Sequence, residues 1–280
     1  MEVTVERDGN RWGMSSDHDI AITRIAGLTP IGGVIYTTPL SAGDGSTVNN
    51  TRVEQRNIVF TLKPQCSAEK FRLKVYQYFM LKQDITLYFK TNARDVFIRG
   101  CVENVDGDLF ENGQSLVVSV ICHSPYFRDV ADSRITFASI VDMFEFPFSI
   151  EEEGIVFSDA SAIVEKSLIN NGEDYAGIVI ELEAIGKVVE PTIYNKTTRE
   201  KFSLKFEMQS GDKITVNTNK GQLSVILSRD GTETNIMNKI YIGSKWIKLK
   251  PGDNLITYEC AYGLDNLYVT LQTNNLYGGL

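Results

Sequence analysis

Histidine is nearly absent: the 280 residues hold two, His18 and His123. A Ser-His-Asp or Cys-His relay needs one of them as its base. His123 follows Cys122 directly, and neighbouring strand residues point to opposite faces, so the two do not make a nucleophile–base pair. Cysteine is scarce and scattered. Cys66, Cys101, Cys122 and Cys260 show no CxxC spacing. That excludes a disulfide framework and a structural zinc site, and leaves reduced, small apolar residues. The chain has no Walker A sequence, no dinucleotide glycine fingerprint and no HExxH. It also has no long hydrophobic run. The longest, Leu116–Cys122, is far too short to cross a bilayer, so no membrane insertion is expected. Met1–Arg7 has neither a basic n-region nor an apolar h-region. No secretory signal is expected, and the chain is expected in a cytoplasm unless carried out within a larger assembly. Positive charge is in deficit, with Lys+Arg at 28, Asp+Glu at 36 and a net charge of -8. Specific nucleic-acid binding wants a basic stripe. The nearest thing, Lys70, Arg72 and Lys74, alternates with apolar residues and reads as a solvated helix face.

What is present suits a folded β protein. Hydrophobic residues make up 42% and charged residues 23%, ordinary for a globular chain. The length lies near the point where one core splits into two. Most of the sequence has a period of two. In Lys201–Met208, Phe202, Leu204, Phe206 and Met208 share one face, and polar residues hold the other. Ile178–Ala184, Ile256–Cys260, Leu267–Leu271, Arg56–Leu62 and Val96–Val102 also read as strands. Turn pairs separate such runs: Asp106-Gly107, Asn112-Gly113, Asn171-Gly172, Lys220-Gly221 and Asp230-Gly231, with Ser210–Asp212. Short strands with regular turns predict an all-β chain of antiparallel sandwiches or barrels.

One main α-helix is predicted over residues 67–80. Ser67 stands at the N-cap after Pro64, and Glu69 suits the first turn. Phe71, Val75, Tyr78 and Phe79 recur at helical steps, and Leu73, Tyr76 and Met80 form a second apolar flank. A stripe that wide packs against a sheet or a neighbouring subunit, and the first four are the candidate surface for such a subunit. The Gly-, Thr-, Ser- and Pro-rich stretch 27–50 predicts a projecting loop or arm. Ile155–Leu168 is ambiguous and is read as two short strands. The composition changes at Ser124–Arg128, which places a boundary near 135: residues 1–135 form one domain and 136–280 another.

Few constellations offer chemistry. Asp17-His18-Asp19 has metal-ligand side chains, but alternate ligands on an extended segment share only one face. Glu151–Glu153 is a solvated loop or a calcium site. Tyr241, Trp246, Tyr258, Tyr262, Tyr268 and Tyr277 crowd the late chain. Sugars stack on exposed aromatic faces, which makes Trp246 a candidate carbohydrate contact. Its alternating strand context favours core packing instead. No catalytic residue, metal ligand or cofactor-binding residue is assigned.

The order of these segments resembles the phage distal tail protein (Dit) family of long-tailed phages. The first-half matches are Ile20–Pro30, the Gly43–Asn50 loop, Arg52–Leu62, the helix and Ser124–Phe127. The second-half matches are Asn170–Gly172, Glu190–Asn195, Ser210–Ile214, Trp246–Asn254 and Tyr277-Gly278. The resemblance implies an N-terminal split β-barrel-like domain and a C-terminal galectin-like antiparallel β-sandwich. It implies a non-enzymatic hub without cofactors at the virion tail tip, or in a phage tail-like particle, made in the bacterial host. Its implied partners are further copies in a hexameric ring, the tail tube protein, a tip or baseplate protein, and a receptor-binding protein or host glycan. DNA would pass through the ring. Two other readings stay open: a carbohydrate-binding adhesin, and a glycan- or peptidoglycan-degrading enzyme, for which no residue set stands out.

Overall fold

The structure, a computed structural model, describes residues 1–65, 67–108, 114–131, 133–137 and 165–280. Cys66, the Asn112-Gly113 turn, Glu151–Glu153 and most of the ambiguous 155–168 stretch lie outside the described residues. The chain forms two units, Met1–Ala131 with Leu276–Leu280, and Asp132–Asn275.

The first unit begins with β1 (Glu2–Arg7), β2 (Asn10–Gly13) and β3 (Ile20–Ala26). Asp8 and Gly9 link β1 to β2 with φ of 51° and 80°, the left-handed pair that a tight hairpin needs. A hairpin, β4 (Gly33–Pro39) and β5 (Ser46–Val53), follows. Then come β6 (Arg56–Pro64), α1 (Ala68–Tyr78), β7 (Asp84–Lys90), β8 (Asp95–Asp106), β9 (Leu116–Cys122) and β10 (Phe127–Asp129). The main sheet runs β2-β1-β7-β8-β9-β6-β3, antiparallel throughout. Its end strands do not pair with each other, so the sheet stays open. Alternation decides its inner face: Val3, Val5, Ile58, Phe60, Leu62, Leu87, Phe89, Val118 and Val120 are buried together. The helix lays Phe71, Val75 and Phe79 into the same core. Each such side chain contributes about 1.5–3 kcal/mol by leaving water.

The second unit contains β11 (Ser133–Phe137), β12 (Glu165–Asn170), β13 (Ala176–Ala184), β14 (Val188–Val189), β15 (Thr192–Asn195) and β16 (Glu200–Ser203). It continues with β17 (Glu207–Met208), β18 (Lys213–Asn217), β19 (Ser224–Arg229), β20 (Thr232–Asn235), β21 (Lys248–Leu249), β22 (Gly252–Glu259) and β23 (Leu267–Thr273). One sheet runs β11-β23-β13-β18-β19-β20, the other β12-β22-β15-β16. Ile178, Ile180, Leu182, Val216, Val269 and Leu271 of the first meet Leu168, Ile193, Phe202 and Ile256 of the second in one core. This is a β-sandwich. The predicted Asp230-Gly231 hairpin is there, with φ of 49° and 75°. The single strand expected over Lys201–Met208 is divided. Phe202, Leu204 and Met208 are buried as the pattern requires, but β16 pairs with β15 while β17 pairs with β14.

The last strand, β24 (Leu276–Tyr277), returns to the first unit and pairs with β10. A cut at residue 135 therefore does not separate the units cleanly, because residues 276–280 belong with the first.

Candidate functional surfaces

The helix divides its wide apolar stripe between two roles. Phe71, Val75 and Phe79 are buried, and Phe79 lies 5.9 Å from the Phe60 ring. Tyr78 is half-buried and packs on Trp12 at 5.1 Å. These candidate interface residues are instead what docks the helix on its own sheet. The outward flank is Leu73, Tyr76 and Met80, exposed by 62%, 45% and 51%. Periodicity reveals both flanks but does not say which one the sheet takes.

The 27–50 stretch is a paired ribbon, with every side chain of β5 exposed. Its register sets Ile35 opposite Thr51, Thr37 opposite Val48 and Gly33 opposite Val53. Opposed residues share a face, so Ile35, Val48 and Val53 form one uncovered apolar surface. Tyr36 lies on the reverse side under the Arg52 guanidinium.

Arg56 ties the base of this ribbon. Its side chain is fully buried. Nε donates to the Pro125 carbonyl at 2.8 Å, Nη1 to those of Thr29 at 2.9 Å and of Gly27, and Nη2 to that of Gly278 at 2.5 Å. Burial lowers the guanidinium's pKa from its ordinary value. Arg94 holds the Gly279 carbonyl, and the Leu280 N–H donates to Leu28 at 3.1 Å. Gly27 has φ of +86°, and a Cβ there would stand 2.0 Å from the Asn57 carbonyl oxygen, so only glycine fits. Sequence reading saw Arg56 only as the start of a strand. A lone arginine opening an apolar strand is the signal it offered.

The Asp17-His18-Asp19 cluster is a structural clasp. Asp17 accepts from Trp12 Nε1 at 2.8 Å and from the Asp19 N–H at 3.0 Å, and pairs with Lys74. Burial pushes its carboxyl up, but the Lys74 bond and its other donors outweigh this and hold it at about 2. His18 is exposed. Among the described residues no group of acids, histidines and cysteines is arranged to hold a metal. Burial pushes the Cys122 thiol up to about 12, which leaves no thiolate for chemistry at neutral pH.

In the second unit Trp246 is half-buried and packs on Phe202 at 5.3 Å. A groove of about 510 Å³ lies on the outer face of the second sheet. Its floor is a row across three strands, Glu259 beside Thr192 beside Ser203, with Lys201 two residues along. Lys201 Nζ meets Glu259 Oε1 at 3.0 Å. Tyr241 and Glu190 also line it.

The motifs of the second unit are turn clamps. Asn170, Asn195, Asp212 and Asn254 are each at most 1% exposed. Asn254 Nδ2 donates to the Lys250 and Gly252 carbonyls while its Oδ1 accepts the Lys250 N–H. Asn195 Oδ1 accepts from Thr197 and Thr198, and Asn170 Oδ1 from Gly172. Asp212 takes Arg229 on both oxygens, at 2.6 and 2.5 Å, and the Gln209 N–H at 2.8 Å. The Arg229 bonds lower its pKa.

No curated protein matches the chain. Residues 171–272 match the family described as siphovirus-type tail component, C-terminal domain. Among solved structures, the chain is similar to the Dit protein of phage SPP1, described as a paradigm of the hub adsorption apparatus in phages infecting Gram-positive hosts. The TM-score is 0.68 at 11% identity, covering 98% of both chains. It is also similar to a chain of the phage P2 baseplate in its activated conformation. The form with Ca gives a TM-score of 0.53 at 11% identity, and the form with Sr 0.54 at 13%; each covers 98% of this chain and 97% of the other. Residues 171–272 thus match the C-terminal domain of a siphovirus-type tail component, and the chain along 98% of its length shares the fold of SPP1 Dit.

Proposed function

We propose that this protein is the structural, non-enzymatic hub at the distal end of a phage tail. Its copies close into a hexameric ring that joins the tail tube to the tip or baseplate protein. The ring leaves a central channel for DNA, and a receptor-binding protein or a host glycan is a further partner. The observation that carries this reading is the likeness to SPP1 Dit over 98% of both chains.

The surface of the first unit supports it. A two-stranded hairpin alone is marginal in water, and the Ile35–Val48–Val53 face is uncovered within the chain. The Leu73–Tyr76–Met80 flank is a second exposed apolar patch. A ring uses head-to-tail contacts, in which two different patches meet and closure comes by rotation. Obligate contacts of that kind bury about 2,000 Å² or more. The net charge of -8 suits a DNA conduit, since like charge prevents sticking.

Native mass spectrometry tests the reading. The expected species is a hexamer of 31.3 kDa chains, alone or on the tail tube protein. A strict monomer under both conditions removes the hub reading. Intact rings after replacing residues 31–53 with a short glycine linker remove the arm from the interface.

A further inference from the structure

We propose that residues 276–280 act as a strap that sets how firmly the β4–β5 ribbon is held at its root, with Arg56 as the shared lock, so that displacing the strap loosens the ribbon. The proposal concerns the first unit and does not depend on ring formation.

The strap touches the entry to the ribbon directly. The Leu280 N–H donates to the Leu28 carbonyl at 3.1 Å. Gly279 lies so close to Pro30 that a Cβ would stand 2.7 Å from Pro30 Cδ and 3.1 Å from its nitrogen. The closed proline ring cannot swing aside, so this seat takes glycine alone. Arg94 holds the same segment from its other contacts. Its guanidinium lies 4.3 Å from the centre of the Tyr277 ring and donates to the Gly279 carbonyl. Tyr277 in turn pairs with Phe127 of β10.

The lock is shared because one buried charge serves both segments. Arg56 donates to Gly27 and Thr29 at the ribbon's entry, to Gly278 of the strap, and to Pro125. All four acceptors are neutral carbonyls, so dipoles alone offset the charge in this set, and each one counts. The guanidinium also lies 4.5 Å from the centre of the Phe127 ring. A planar fork held over a ring cannot turn one arm toward water without withdrawing the others. Loss of the Gly278 carbonyl therefore weakens the bonds to Gly27 and Thr29. The converse holds equally, since coupling between two sites is reciprocal.

The strap also has an input. Residue 275 closes the second unit and residue 276 opens the strap. Asn275 is buried, and its Oδ1 accepts the Asn171 N–H at 2.9 Å. A pull on the chain at Asn275 reaches the Gly278 carbonyl within three residues. The ribbon root thus reads tension on the chain where it leaves the second unit.

Hydrogen–deuterium exchange on the full chain tests the coupling, using Gly279→Val and Arg94→Gln. Neither change touches Arg56. Gly279 is outside the left-handed region, so the valine acts by volume against Pro30 and not by backbone strain. In each variant the amides of 276–280 and those of 24–36 should both exchange about tenfold or more faster, with β8 and β9 unchanged. Pro30→Gly should in turn speed exchange at 276–280. Native mass on the same samples reports the ring separately, and exchange is compared between samples of equal native mass. Faster exchange at 276–280 with 24–36 unchanged would overturn the proposal. So would no change at either segment in both variants, an equal rise across β8 and β9, or an unmoved strap in Pro30→Gly.

Discussion

Arg56 Nη2 donates to the Gly278 carbonyl at 2.5 Å, joining residues 222 positions apart. Through this bond and those to Gly27, Thr29 and Pro125, one buried guanidinium ties the hairpin base and the chain end to the first unit. Arg56→Leu leaves four carbonyls without their donor. The first unit should lose about 3 kcal/mol or more in denaturant unfolding. Arg56→Lys should lose less but still a large share, since an ammonium lacks the planar fork. A loss under about 0.5 kcal/mol for Arg56→Leu would show that the carbonyls find water instead.

The Asp17 clasp predicts a pH dependence with a definite sign. Its carboxyl lies at about 2 when folded, below an ordinary value of 3.8. The unfolded chain therefore binds the proton first as pH falls. The clasp's contribution is fully present above pH 4 and is lost as pH falls toward 2. Lys74 is partly exposed, so screening keeps the total to about 2 kcal/mol or less. Thermal midpoints of wild type and Asp17→Asn should differ at pH 5 and converge at pH 2. A constant difference across that window would refute the assignment.

The two helix flanks should behave oppositely. Phe71→Ala opens the core and should cost about 3–5 kcal/mol. Leu73→Lys changes an exposed position and should stay within about 0.5 kcal/mol. In native mass spectra the Leu73→Lys chain should remain folded but form fewer rings. Full ring yield from that variant would leave the outer flank without an assembly role.

Asn254 gives a test of the second unit. Asn254→Ala strips partners from two carbonyls and one N–H, at about 2–4 kcal/mol. Asn254→Asp keeps the shape but has no donor for the carbonyls, so it should not rescue stability. Equal stability of the Asp variant and wild type, measured by urea unfolding at pH 7, would contradict the clamp.

The alternating patterns of β6, β13 and β23, the Asp230-Gly231 hairpin and the amphipathic helix α1 were legible because each depends on neighbours in sequence. A period of two or a turn pair is a local statement about which face is dry. The motifs of the second half were legible as strings. Their cause, asparagines clamping turn carbonyls, appeared only in three dimensions. Scarce histidine and scattered cysteine likewise spoke against relay catalysis and disulfides without any structure. The tertiary fold alone decided which helix flank met the sheet, turned the expected loop into a paired ribbon, and divided Lys201–Met208 between two partners. It also sent residues 276–280 back to Arg56, packed Trp246 on Phe202, and set Tyr241, Lys201 and Glu259 around one groove. These outcomes depend on residues tens to hundreds of positions apart, where periodicity carries no information and packing and charge make the choice.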